Sequence, residues 1–88
     1  MSSVFRYFSQ SGEGMKKPVK NLFRFRLVQL REESNLTQKQ FAEAVQIPNS
    51  TINRYETGIR VPDFDTLIIF ADYFKVSTDY LLGRTDKK

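Results

Sequence analysis

Eighty-eight residues are enough for one small domain, or for a smaller one with a tail, and 40% apolar with 14% aromatic content is enough to build a core. With no cysteine and no histidine, the chain excludes zinc fingers, disulfide staples, thiol catalysis and histidine acid–base chemistry. The formal charge of +4 is unevenly spread: residues 1–31 hold seven basic groups against Glu13, a net of +6, and residues 32–88 hold seven against nine acidic, a net of −2.

A basic arm on a near-neutral body suits a polyanionic partner such as nucleic acid; ordinary solubilising charge is the alternative. The longest apolar run, Leu67 to Ala71, is too short to span a bilayer, and Arg6 interrupts any signal-like apolar region. A soluble, cytoplasmic protein that needs no membrane is expected.

In chain order, residues 1–20 read as an N-terminal extension. An aromatic patch (Phe5, Tyr7, Phe8) precedes the linker-like Ser9-Gln10-Ser11-Gly12-Glu13-Gly14, and Met15 opens a second possible start. The extension is either an upstream-start segment outside the fold or an arm that packs its aromatics on a partner subunit. Residues 21–83 then carry helical patterning. Phe23, Leu27, Leu30 and Ser34 share one helix face, with Asn35 as a left-handed stop. Thr37 and Gln40 fit a capping box opening a second helix that runs to about Val45 and buries Phe41, Ala42 and Val45.

After Gln46-Ile47-Pro48 a third helix is expected from Pro48 or Asn49 to Thr57, stopped by Gly58. Ile52, Tyr55 and Ile59 lie at helical spacing. Asn49, Ser50, Thr51, Asn53 and Arg54 fill its other positions with short or forked polar groups that are mostly mediocre helix formers. Asp63 caps a fourth helix with Leu67, Phe70, Ala71 and Phe74 on its core face, and Ser77 caps a short fifth one stopped by Gly83. Residues 84–88 read as a polar tail. No segment has a period-2 strand pattern, so the fold class is all-α.

Two short helices separated by three residues, the second polar outside, match the helix-turn-helix arrangement. The first would hold the second through Phe41, Val45, Ile47 and Ile52, and a major groove is wide enough for one helix. Asparagine can pair with adenine, arginine with guanine, and serine or threonine with several bases or a phosphate.

Residues 26 to 83 resemble the Cro/phage-repressor (Xre-type) helix-turn-helix family. The matching runs are Arg26-Leu27…Leu30-Arg31, Leu36-Thr37-Gln38, Phe41-Ala42, Ser50-Thr51-Ile52…Arg54-Tyr55-Glu56…Gly58, Pro62, Thr66-Leu67 and Val76-Ser77…Tyr80-Leu81-Leu82-Gly83. The resemblance implies a five-helix, lambda-repressor-like DNA-binding domain. Asn49, Ser50, Thr51, Asn53 and Arg54 would form the base-reading surface. Gln38 would bond a phosphate and brace the reading helix, Arg60 would touch a second phosphate, and Arg31 and Glu56 would form a structural ion pair.

Two positions depart from the family pattern. Gln46 stands where a glycine is usual and must turn left-handed, at about 1 kcal/mol. Pro48 replaces the usual serine or threonine cap, which proline's side chain cannot supply.

The reading that follows is a sequence-specific double-stranded DNA-binding regulator, a repressor acting as a homodimer on a near-palindromic operator. Surplus apolar residues (Val28, Ile69, Tyr73, Tyr80) mark a dimer interface, with the C-terminal helices preferred. The alternative is a protein-interaction module or antitoxin-type protein on the same fold. No nucleophile–base set points to an enzyme, and no cofactor or metal is expected.

Overall fold

The structure is a computed structural model and describes residues 21–88. The expectations for residues 1–20 lie outside the described residues. Within them the fold is five helices in sequence: α1 Phe23–Glu33, α2 Gln38–Val45, α3 Asn49–Thr57, α4 Phe64–Phe74 and α5 Thr78–Leu82.

Each helix starts and stops on a local signal. The Asn21 side-chain carbonyl accepts the Phe23 N–H at 3.0 Å, giving α1 a bond for its first turn. Its last turn unwinds into Asn35 at φ 59°, where the Asn35 N–H donates to the Glu32 carbonyl at 2.9 Å. Thr37 and Gln40 form the full capping box of α2: the Thr37 hydroxyl accepts the Gln40 N–H at 3.0 Å and the Gln40 carbonyl accepts the Thr37 N–H at 2.9 Å. Asp63 caps α4 by accepting the Thr66 N–H at 2.8 Å, and Ser77 caps α5 by accepting the Tyr80 N–H at 3.0 Å.

The two departures from the pattern resolve as local geometry. Gln46 adopts φ 60°, ψ 43°, so the three-residue turn forms without a glycine. Pro48 gives no side-chain cap, and its carbonyl instead accepts the N–H groups of Thr51 and Ile52 at 2.9 and 3.1 Å. The α3 helix therefore begins at Asn49. A third left-handed side-chain-bearing residue, Lys75 at φ 57°, joins α4 to α5 and carries no sequence signal of the asparagine or glycine kind.

The core gathers around Phe41, Phe70, Leu27, Ile52 and Leu81, all fully buried. Phe41 lies 5.3 Å from the Phe70 ring and 5.1 Å from Phe74, while Tyr55 meets Phe70 edge-on at 5.8 Å. These separations suit favourable aromatic pairs, about 0.5–1.5 kcal/mol each beyond their burial. The aromatics thus tie α2, α3 and α4 into one rigid unit.

Two expectations change. Ile59 does not continue the buried stripe of Ile52 and Tyr55; it is 76% exposed, because Gly58 at φ 83° turns the chain away from the helix axis. Tyr80 is 6% exposed and sits under the Arg26 guanidinium at 4.1 Å, so it belongs to this chain's own core and not to a surface for a second copy. The polar residues 84–88 are tied to the body: Arg26 donates to the carbonyls of Tyr80 at 2.8 Å and Thr85 at 2.6 Å, and the Ser77 N–H donates to the Lys88 carbonyl at 2.9 Å.

Candidate nucleic-acid interface

The inner side of α3 explains why a helix with a poorly helix-forming outer face holds its shape. Ile52 and Tyr55 are buried, and Glu56 beside them is the one charged group in the described core. Its carboxylate accepts from Arg31 Nε at 2.7 Å and from an Arg31 terminal nitrogen at 3.1 Å. The other terminal nitrogen of Arg31 donates to the Leu36 carbonyl at 2.7 Å. This two-point fork joins the end of α1 to the last turn of α3 and to the α1–α2 connection. With Glu56 only 4% exposed and Arg31 13%, the pair is shielded from solvent, and no buried side-chain polar atom among the described residues lacks a partner.

The outer side is what remains. Asn49, Ser50, Asn53 and Arg54 are all exposed on α3, and Thr51 is half-buried toward the core side. Thr51 is therefore set further back than the other four. Gln38, at the first position of α2, is half-buried and spans the two helices: its Nε2 donates to Glu56 Oε1 at 2.9 Å, and its Oε1 accepts from Asn53 Nδ2 at 3.3 Å. Gln38 thus makes two hydrogen bonds to α3.

Arg60 lies exposed just beyond α3, and its N–H donates to the Arg54 carbonyl at 3.2 Å, which folds the loop back on the helix end. Asp63 follows three residues later. Its carboxyl is held below the usual carboxylate range, first by the Thr66 side-chain and backbone hydrogen bonds and then by the Arg60 charge.

Two arginines that sequence reasoning left unassigned shape this region. Arg24 donates to the Thr57 carbonyl at 3.2 Å, and its Cδ lies 2.9 Å from where a Cβ on Gly58 would be. A cation on the C-terminal carbonyls of α3 favours the helix dipole. A side chain at residue 58 would have to push Arg24 off this carbonyl, in addition to adopting a left-handed φ of 83°. Arg26 holds the C-terminal residues as described above. Neither role has a local signature, because the partners lie 33 to 59 residues away.

Chemically, the exposed face of α3 offers two amides, a hydroxyl and a guanidinium on one rigid helix, with the Arg60 cation beside it. Amides and guanidinium groups are the side chains that pair bidentately with adenine and guanine edges, and guanidinium also matches phosphate geometry. Among the described residues no group of acidic side chains is placed to hold a metal ion.

Comparison with known proteins agrees with this geometry. The helix-turn-helix family model matches residues 27–81. The HTH-type transcriptional regulator ImmR of Bacillus subtilis is 43% identical over 61 residues, covering 69% of this chain and 48% of its own length. The cryptic phage CTXphi transcriptional repressor RstR of Vibrio cholerae is 36% identical over 59 residues, covering 67% of this chain and 53% of its own length. The crystal structure of a transcriptional regulator from Listeria innocua superposes with a TM-score of 0.67 at 33% identity, over 73% of this chain and 60% of that one. The chain spans about half the length of the curated relatives it matches. With five helices among the described residues, a helix-turn-helix at α2–α3 and a family match over more than half its length, the chain belongs to the Xre/Cro-type helix-turn-helix family of transcriptional regulators.

Proposed function

We propose that the chain is a cytoplasmic, sequence-specific double-stranded DNA-binding regulator that acts as a homodimeric repressor on a near-palindromic operator. The observation that carries this reading is the exposed set Asn49, Ser50, Asn53 and Arg54 on a helix fixed from behind by Ile52, Tyr55 and the Arg31–Glu56 pair. Base edges are read by groups of this kind when the helix that carries them is rigid. Thr51, set back on α3, joins them as a secondary contact. Gln38 and Arg60 flank the face as phosphate contacts. Repression is supported by the likeness to a phage repressor.

A homodimer would set two copies of α3 about 34 Å apart, one helical turn of DNA. Exposed apolar side chains support a surface for a second copy. Ile69 and Tyr73 lie on α4 together with Phe64 and Ile68, and Phe64 is 84% exposed. The same exposed apolar side chains favour the second reading, a protein-interaction module or antitoxin-type protein that binds a different protein through them. In that reading substitutions at Asn49, Ser50 and Arg54 are tolerated.

Binding to the DNA flanking the protein's own gene, titrated across a salt series, tests the proposal. The expected result is a preferred duplex over random DNA, with log K falling linearly with log salt. Arg60→Gln should weaken both duplexes alike and reduce that slope by about 0.9. Equal affinity for flanking and random duplexes at every salt concentration would transfer the function to the protein-interaction reading.

A further inference from the structure

We infer that Gln38 is a positioning residue that fixes which end of the Asn53 amide faces outward, and so presets Asn53 for adenine; this rests on the DNA-reading role proposed above. The constraint starts at the buried carboxylate. Glu56 can only accept hydrogen bonds when ionised. Its Oε2 takes Arg31 Nε at 2.7 Å, and its Oε1 takes Arg31 at 3.1 Å and Gln38 at 2.9 Å.

Facing an acceptor, Gln38 must present its NH2 group. Its carbonyl oxygen is then on the other side of the amide, where Asn53 lies at 3.3 Å. An oxygen there is met only by a donor, so Asn53 turns its own NH2 group inward. What Asn53 leaves outward is its carbonyl oxygen and the second hydrogen of Nδ2.

That acceptor–donor pair matches adenine, which offers N6–H and N7 in the major groove. Guanine offers two acceptors, O6 and N7, and meets the Asn53 carbonyl with repulsion. An asparagine free to rotate by half a turn could present either end first and would lose rotamer freedom on binding. Asn53 is held beforehand. The second hydrogen of Gln38 Nε2 remains for a phosphate oxygen, so both roles of Gln38 fit together. The Arg31–Glu56 pair, structural by position, thereby sets a donor–acceptor polarity at the surface.

The test is selection of duplexes from a fully random pool by the full chain, with sequencing of the bound fraction. It is run for the wild type, Asn53→Ala and Gln38→Met, with circular-dichroism melts of each. Asn53→Ala is expected to abolish adenine enrichment at one position per half-site. Gln38→Met should lower adenine enrichment at that same position about tenfold and leave the rest of the motif in place. Gln38→Ala, which needs no new packing, repeats the comparison if the methionine lowers the melting temperature. A Gln38→Met motif in which adenine stays as strongly preferred at the Asn53 position as in the wild type overturns the inference alone, as does a wild-type base other than adenine at that position. A wild type that enriches no motif removes the DNA-reading role and the inference with it.

Discussion

Helices α3 and α4 share one aromatic core and spend their outer faces in opposite ways. Tyr55 of α3 packs edge-on against Phe70 of α4 at 5.8 Å, so the two helices share an anchor on the inside. Outside, α3 shows Asn49, Ser50, Asn53 and Arg54, whereas α4 shows Phe64, Ile68, Ile69 and Tyr73 around the two carboxylates of Asp65 and Asp72. The first set suits a polar, hydrated, charged surface and the second an apolar one. Because the inner contacts supply the stability, each outer face is free to suit a different partner.

That division can be broken from the inside with the largest effect. Glu56→Ala leaves Arg31 without its carboxylate in a shielded site, and about 3–5 kcal/mol of unfolding free energy should be lost in urea titrations. A loss below about 1 kcal/mol would mean that α3 is held by Ile52 and Tyr55 alone. On the outer face of α4, Phe64→Ser combined with Ile69→Ser should shift unfolding by no more than about 0.5 kcal/mol, as for exposed sites in general. The same pair should abolish self-association in sedimentation equilibrium; an unchanged dimer would place the interface elsewhere.

The smallest effect concerns the start of α4. Asp63 has its carboxyl lowered by the Thr66 hydrogen bonds, so the ionised form stabilises the fold at pH values above the ordinary carboxylate range. That contribution is lost as the pH falls through the depressed value. Melting curves taken from pH 7 downward should therefore show a shallower acid decline for Asp63→Asn than for the wild type. An identical decline would assign acid sensitivity to other carboxylates.

Most of the fold was legible because its signals are local. Thr37 with Gln40, Asp63, Ser77, Gly58 and Gly83 each act within a few residues, and all start or stop helices where the pattern places them. The left-handed Gln46 was legible too, since it stands where the family it resembles usually has a glycine. Tyr80 was not. A five-residue helix has too few turns to show which face is inward, and the Arg26 guanidinium that covers the ring comes from the opposite end of the chain.

Of the candidate site, the residue types on α3 were readable from its sequence, and their exposure follows from the positions of Ile52, Tyr55 and Glu56. The Gln38–Asn53 bond was not readable, because it spans 15 residues and depends on how α2 crosses α3. The Arg24 contact on Thr57 has the same character.

The claim that the outer face of α3 reads base edges is tested most directly at Arg54. Binding of wild type and Arg54→Ala should be compared on the duplex selected by the wild type and on random DNA at one fixed salt concentration. The expected outcome is a loss of about 1–3 kcal/mol on the selected duplex, with relaxed preference at one base pair and a much smaller change on random DNA. Equal losses on the two duplexes would contradict it, because Arg54 would then contact only the phosphate backbone.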